Sequence, residues 1–452
     1  MIDITQVRWG IKQLTVYRGM LQDEVVQQFT QLLDLLDREQ LYLEKLTEVY
    51  AAFSNLLIQR TELSVADLVG DPWQNYLLDK ILEEENTFTR KAEKIPFSEL
   101  GISLIEATKR DLSFLQNCFA IDGARIRELI SRRIGREGEK ENIFSLGWLE
   151  LADLRPLKAE NNYPQPYYRE LKKQKDSFYQ AGEWGYLVEQ LAAYYFRVGS
   201  GKLGRYWAFY WDEGLQGIAN PDPIQMENLI GYQEQRAVVI GNTKQFLGGG
   251  ANNMLLYGDR GTGKSSTIKA LVHEYGQLGL RLVEVAKHQM QNFPKIIREL
   301  RERPQRFIIF VDDLSFEEDE TEYKYLKAVL EGGLEAQPNN VLVYATSNRR
   351  HLVRETFRDR EKPSEDLHIQ DTVQEKLSLS DRFGITVTFT APSSKEYLSI
   401  VEGIAQQKGL TLGKEELHRL ALKWELWHNG RSGRTAKQFI EDLLGKMQSE
   451  IV

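Results

Sequence analysis

Gly258-Asp259-Arg260-Gly261-Thr262-Gly263-Lys264-Ser265 fits the pattern G-x-x-x-x-G-K-[ST], and Ser266 follows it. Its flanks give the match meaning, because such a loop works only between a strand and a helix. Before it, Met254-Leu255-Leu256-Tyr257 is a short apolar run of the kind a buried parallel strand needs. After it, Ile268, Leu271, Val272, Tyr275 and Leu278 recur at helical spacing, and Gly279 stands where a helix would stop. The glycines let the backbone wrap a polyphosphate with successive N–H groups pointing at it, and the helix N-terminus adds partial positive charge. Lys264 is expected to hold the β- and γ-phosphates, and Ser265 to be a Mg²⁺ ligand.

The chain has 452 residues, too many for one ordinary core, so two or three domains are expected. A hydrophobic content of 42% with 27% charged residues describes a folded rather than a disordered protein. No apolar run approaches the roughly 18 residues of a membrane-spanning helix, and Met1-Ile2-Asp3-Ile4 does not begin a basic-then-apolar leader; a cytoplasmic location is expected. Cys118 is the single cysteine, which excludes an internal disulfide, and its apolar neighbours Leu115 and Phe119 point to a buried thiol. Six scattered histidines give no metal-ligand spacing. A net charge of −8 argues against coating nucleic acid by bulk electrostatics.

Residues 1–217 read as mostly helical, with apolar stripes at Val25, Val26, Phe29, Leu32, Leu33 and Leu36 and again at Leu46, Val49, Tyr50, Phe53, Leu56 and Leu57. Arg125, Arg127, Arg132, Arg133 and Arg136 crowd one segment, which suits either a nucleic-acid or acidic partner or a solvated helix face. Arg205-Tyr206-Trp207-Ala208-Phe209-Tyr210-Trp211 suits either base stacking or plain core and docking surface. Asn220-Pro221-Asp222-Pro223 reads as a linker. Beyond it, strands are expected at Arg281 to Val285, Arg306 to Val311, Val341 to Thr346 and Ile385 to Phe389, alternating with helices. That alternation predicts an α/β fold with a parallel sheet covered on both faces. After Pro392 only helices are expected, opened by a capping box of Ser393 and Glu396.

Phe307-Ile308-Ile309-Phe310-Val311 leads into Asp312-Asp313, two acids at the carboxyl end of a buried strand, where ligands sit in open α/β sheets. Asp312 is the expected metal holder and Asp313 the candidate general base, with Glu317 its runner-up. The strand ending at Thr346 runs into Ser347-Asn348, whose amide could hydrogen-bond a γ-phosphate or an attacking water. Arg382, in Asp381-Arg382-Phe383-Gly384, could enter a neighbouring subunit's site or pair on the surface with Asp381. Arg434, in Gly433-Arg434-Thr435-Ala436, could reach back over the same nucleotide.

In this order these motifs resemble the Walker A, Walker B, sensor 1, arginine-finger and sensor 2 elements of the AAA+ ATPases, over roughly Pro221 to Val452. Asn253 to Ser266, Asp312 to Glu317, Tyr344 to Arg350 and Glu375 to Gly384 look closer still to a bacterial AAA+-like ATP-binding family of otherwise unknown function. The resemblance implies an αβα domain (residues 218–391) with a helical lid (392–452); residues 1–217, outside it, are expected to form a helical partner or regulatory domain. It implies ATP with Mg²⁺, and adenine bound near Leu229, Ile230 and Gly231. A homo-oligomeric ring is implied too, in which Arg382 acts between subunits and Arg434 inherits the sensor 2 role. Two departures stand out: Walker B ends Asp-Asp rather than Asp-Glu, and Lys287 to Pro294 lacks the aromatic-apolar pattern of substrate-threading members. The leading expectation is an ATP-hydrolysing AAA+ protein that remodels or gates a protein client. A DNA-binding loader and a slow-hydrolysing ATP switch are the alternatives.

Overall fold

The computed structural model describes residues 3–40, 42–64, 67–136, 165–316, 320, 322–331, 337–349, 352, 379–428 and 430–449. They fall into two compact units, Met1–Arg205 and Tyr206–Val452.

The first unit is helical. Its two longest apolar stripes become the helices Glu24–Leu36 and Leu43–Glu62, followed by Pro72–Glu83 and Ile102–Phe119. Burial of these stripes is what makes the helices stable, since isolated helices of such length are marginal in water. At the centre Phe29 stacks on Trp73 with ring centroids 4.1 Å apart, and Phe53 meets the same indole edge-on. Buried Asp111 accepts from the backbone N–H groups of Thr15, Val16 and Tyr17, satisfying a turn that no secondary structure could pair. The arginine-rich segment is the helix Gly123–Arg136, whose one acid is Glu128. Arg125 and Arg132 both pair with Glu128, while Arg133 donates to the carbonyls of Arg38 and Glu39.

The second unit is built on a seven-stranded sheet: β1 (Ala208–Trp211), β2 (Leu215–Gly217), β3 (Met254–Gly258), β4 (Leu280–Glu284), β5 (Arg306–Val311), β6 (Val341–Ser347) and β7 (Ile385–Phe389). The order is β2-β1-β4-β5-β6-β3-β7, and every pairing is parallel except that of β1 with β2. Strands β3, β5 and β6 are nearly continuous buried apolar runs, as strands covered on both faces must be. The aromatic run 205–211 thus supplies β1, which pairs with β4 on one side and turns back through Glu213 (φ +52°) and Gly214 into the antiparallel edge strand β2 on the other.

Three helices, Ser394–Gln407, Lys414–Trp427 and Gly433–Ser449, carry a core of their own around Tyr397, Ile400, Val401, Phe439 and Ile440. Ser393 and Glu396 form the capping box at the first of them. The architecture is a mostly parallel α/β sheet followed by a helical lid, the three helices from Ser394 to Ser449. Among the described residues no helix is long and apolar enough to cross a membrane.

Candidate nucleotide-binding site

Strand β6 lies between β3 and β5, so three carboxyl ends stand side by side. The first leads into the glycine loop, the second carries Asn348 and the third carries Asp312 and Asp313. Parallel alignment is what brings these distant segments to one edge.

Lys264 opens the helix Lys264–Tyr275 and is only 7% exposed. Its Nζ donates to the carbonyls of Gly258 (2.8 Å) and Asp259 (2.7 Å) and to Asn348 Oδ1 (3.2 Å). Burial lowers its pKa below that of an ordinary lysine, against the opposing pull of Asp259, Asp313 and Asp312. Ser265 Oγ donates to Asp312 Oδ1 at 2.6 Å, and Asn348 Nδ2 donates to Asp313 Oδ1 at 2.5 Å. Asp313 N donates to Asp312 Oδ1 at 3.1 Å, so five of the residues singled out by sequence, Lys264, Ser265, Asp312, Asp313 and Asn348, meet in one connected polar group.

The glycines are there for two different reasons. Gly258 has φ +135°, and a Cβ on it would fall 2.0 Å from the Phe389 carbonyl oxygen, so the loop leaves β3 hard against β7. Gly263 has φ +94° and would meet nothing within 4 Å, which leaves its backbone open toward any anion seated over the helix N-terminus. Thr262 Oγ1 donates to the Asp259 carbonyl at 2.8 Å, Arg260 is exposed and Ser266 lies in the first turn of the helix.

The loop is tied at two points, to the segment just before the lid and to the lid itself. Asp259 Oδ2 accepts from Ala391 N at 2.6 Å, and Arg434 N donates to the Gly261 carbonyl at 3.1 Å. Gly261 (φ +75°) is also confined by Ser432 Oγ. Ile230 lies against the lid: a Cβ on Gly403 would come within 2.6 Å of Ile230 Cδ1. Beside it Tyr232, at φ +56°, donates its hydroxyl to the Thr390 carbonyl, and burial pushes its phenol up to about 12.

Arg382 does not join this group within one chain. It precedes β7, whose first residue pairs with Met254 at the start of β3, so it stands at the far end of the sheet from Gly258. There it pairs with Glu331. Glu317, Leu377 and Ser378 lie outside the described residues.

The residues present fit a magnesium–nucleotide pair. Ser265 Oγ and Asp312 Oδ1 are hard oxygen donors suited to Mg²⁺, which takes few protein ligands and completes its shell with phosphate and water. Among the described residues no cluster of three or more His, Cys, Asp or Glu side chains could hold a metal by itself.

Two contributors escape sequence reading. Thr346 sits one residue before the polar strand end and bonds both acids, yet threonine in a strand is ordinary β-forming composition. The Asp259–Ala391 bond joins segments far apart in the chain, and only the Ser393/Glu396 capping signal marks that hinge.

No functionally curated protein matches this sequence. Among solved structures it is similar to the Thermotoga maritima RuvB Holliday junction branch migration motor, at 16% identity and TM-score 0.36 over 50% of this chain and 67% of that one. Two point mutants of the same protein align at 14% and 15% identity, each with TM-score 0.36, over 51% and 50% of this chain and 67% and 68% of theirs. Residues 204–447 match the profile of the family described as protein of unknown function (DUF815), and the chain belongs to that family.

Proposed function

We propose that the second unit binds ATP with Mg²⁺ at the carboxyl edge of β3, β6 and β5 and hydrolyses it, coupling turnover to a conformational change in a protein partner. The observation that carries this reading is the single hydrogen-bonded group of Lys264, Ser265, Asp312, Asp313 and Asn348.

Lys264, Ser265 and the backbone from Gly258 to Ser266 would hold the phosphates, with Ile230 against the base. Ser265 and Asp312 would hold the metal, which when bound spreads the negative charge of the β- and γ-phosphates. Asp313 would take the proton of the attacking water, and Asn348 would orient that water or the γ-phosphate. Arg434 reaches the loop from the lid of its own chain, whereas Arg382 would have to leave Glu331 and serve a neighbouring copy in a homo-oligomer. The contacts of Asp259 with Ala391, just before the lid, and of Gly261 with Arg434 in it would give phosphate binding a route to lid movement.

The DNA-binding alternative rests on the Asp312-Asp313 pair and on the arginine-rich helix, where Arg125 and Arg132 share Glu128, which offsets one of the positive charges available to phosphates. A slow-hydrolysing switch draws support from Asp313 itself, a short acid already bonded to Asn348.

Calorimetric titration of the full chain with ATP and Mg²⁺ tests the binding half. Saturable binding that disappears in Lys264→Ala is expected; equal binding by both proteins would overturn the proposal.

A further inference from the structure

We propose that Thr346 is a positioning residue that sets the two strand-end acids in their separate places, Asp312 toward the metal and Asp313 toward the attacking water. The inference rests on the ATP reading above and assigns a role to a residue to which the sequence motifs gave none.

Three bonds from this one residue carry it. The β5–β6 ladder ends at Val311 opposite Ala345, and Thr346 takes over from there. Its Oγ1 donates to Asp312 Oδ1 at 2.5 Å and accepts from Asp313 N at 2.9 Å, while its carbonyl accepts from Leu314 N at 2.6 Å. Thr346 therefore grips three successive residues of the turn that carries both acids, and it does so from a position 1% exposed.

The middle bond has a specific consequence. Asp313 stands at φ +49°, a left-handed conformation that non-glycine residues adopt only when their surroundings hold them there. Its N–H is fixed by Thr346 Oγ1 and, at 3.1 Å, by Asp312 Oδ1. That backbone turn separates the two neighbouring side chains. Asp312 meets Ser265 Oγ on the glycine-loop side, while Asp313 meets Asn348.

The position needs a donor and an acceptor on one short side chain. Threonine and serine supply both, and valine has threonine's shape with neither. Thr346→Val should thus leave the apolar contacts of the strand in place and free the acids.

The test compares wild type, Thr346→Val and Thr346→Ser in the full chain. ATP affinity is measured in EDTA with a fluorescent ATP analogue. Mn²⁺ affinity in the presence of ATPγS is measured from the electron paramagnetic resonance signal of free Mn²⁺, and phosphate release is followed in a single turnover. Thr346→Val is expected to bind nucleotide within about twofold of wild type, to bind Mn²⁺ about tenfold more weakly and to turn over about 10–100-fold more slowly, the usual cost of losing a group that orients a metal ligand. Thr346→Ser should restore both. Wild-type Mn²⁺ affinity and turnover in Thr346→Val would overturn the proposal, as would a Thr346→Ser protein as impaired as Thr346→Val, since the lost methyl would then be responsible. If Thr346→Val does not fold, Thr346→Ala against Thr346→Ser decides on the same readouts, with equal impairment counting against the hydroxyl. Failure of the ATP reading looks different: wild type itself would then bind no nucleotide.

Discussion

Asn348 Nδ2 donates to Asp313 Oδ1 across 2.5 Å, and the other end of the same amide accepts from Lys264 Nζ at 3.2 Å. One strand-end side chain from β6 thereby links the lysine of the β3 loop to the acid that follows β5. An amide is suited to this because it offers a donor to the carboxylate and an acceptor to the ammonium without adding charge of its own. On the proposed function, phosphates that draw Lys264 toward themselves would act on the same amide that restrains Asp313, which would connect nucleotide binding to the orientation of that acid.

The two reasons for glycine in the loop separate experimentally. Gly258→Ala puts a methyl group 2.0 Å from the Phe389 carbonyl oxygen at φ +135° and should destabilise the fold by about 3 kcal/mol or more. Gly263→Ala meets open space and should cost only about 1–2 kcal/mol of backbone strain, yet abolish ATP binding by filling the approach to the loop. Urea denaturation and ATP titration of both variants check this; the reverse ranking in stability would refute it.

Lys264 predicts a pH dependence whose sign can be worked out. Its folded pKa lies below the ordinary value of 10.5, because burial disfavours the ammonium. Between those two values the unfolded chain binds more protons at this group, so its contribution to stability rises with pH across that window. Bound phosphates favour the charged form, so ATP affinity should instead fall as pH rises through the same window. Titrations from about pH 7 to about pH 10 should show this fall in wild type and a flat, weak profile in Lys264→Met. Wild-type affinity that holds level or rises would contradict it.

The single cysteine reports on the first unit alone. Cys118 is fully buried, its carbonyl accepts from Trp73 Nε1 at 3.2 Å, and burial pushes its thiol up to about 12. Thiolate is the reactive form, so at mildly alkaline pH the folded protein should react with iodoacetamide about a thousandfold more slowly than an exposed thiol. Mass spectrometry across a urea series should show labelling only as the helical unit opens; rapid labelling of the native protein would refute the burial.

Much of the nucleotide unit was legible in advance, for a physical reason. Strands buried on both faces must be apolar throughout, so Met254–Tyr257, Arg306–Val311 and Val341–Thr346 stood out, and polar residues following such runs had to lie at a sheet edge. The hairpin at 208–217 was hidden because Phe209, Tyr210 and Trp211 suit a surface, a core or a strand equally well, and Asp212-Glu213-Gly214 was its one local turn signal. The pairing of Arg382 with Glu331, the confinement of Gly261 by Ser432 and the grip of Thr346 on Asp312 and Asp313 are contacts between distant segments. Periodicity and local propensity carry no information about those.

The most direct test of the account is single-turnover ATP hydrolysis by wild type and Asp313→Asn, each first shown to bind ATP. The amide keeps the size of the acid but cannot accept the water's proton, so the account predicts bound ATP in both proteins and phosphate release at least about a hundredfold slower in Asp313→Asn. Equal rates of release would contradict the role given to Asp313 and the hydrolytic site built around it.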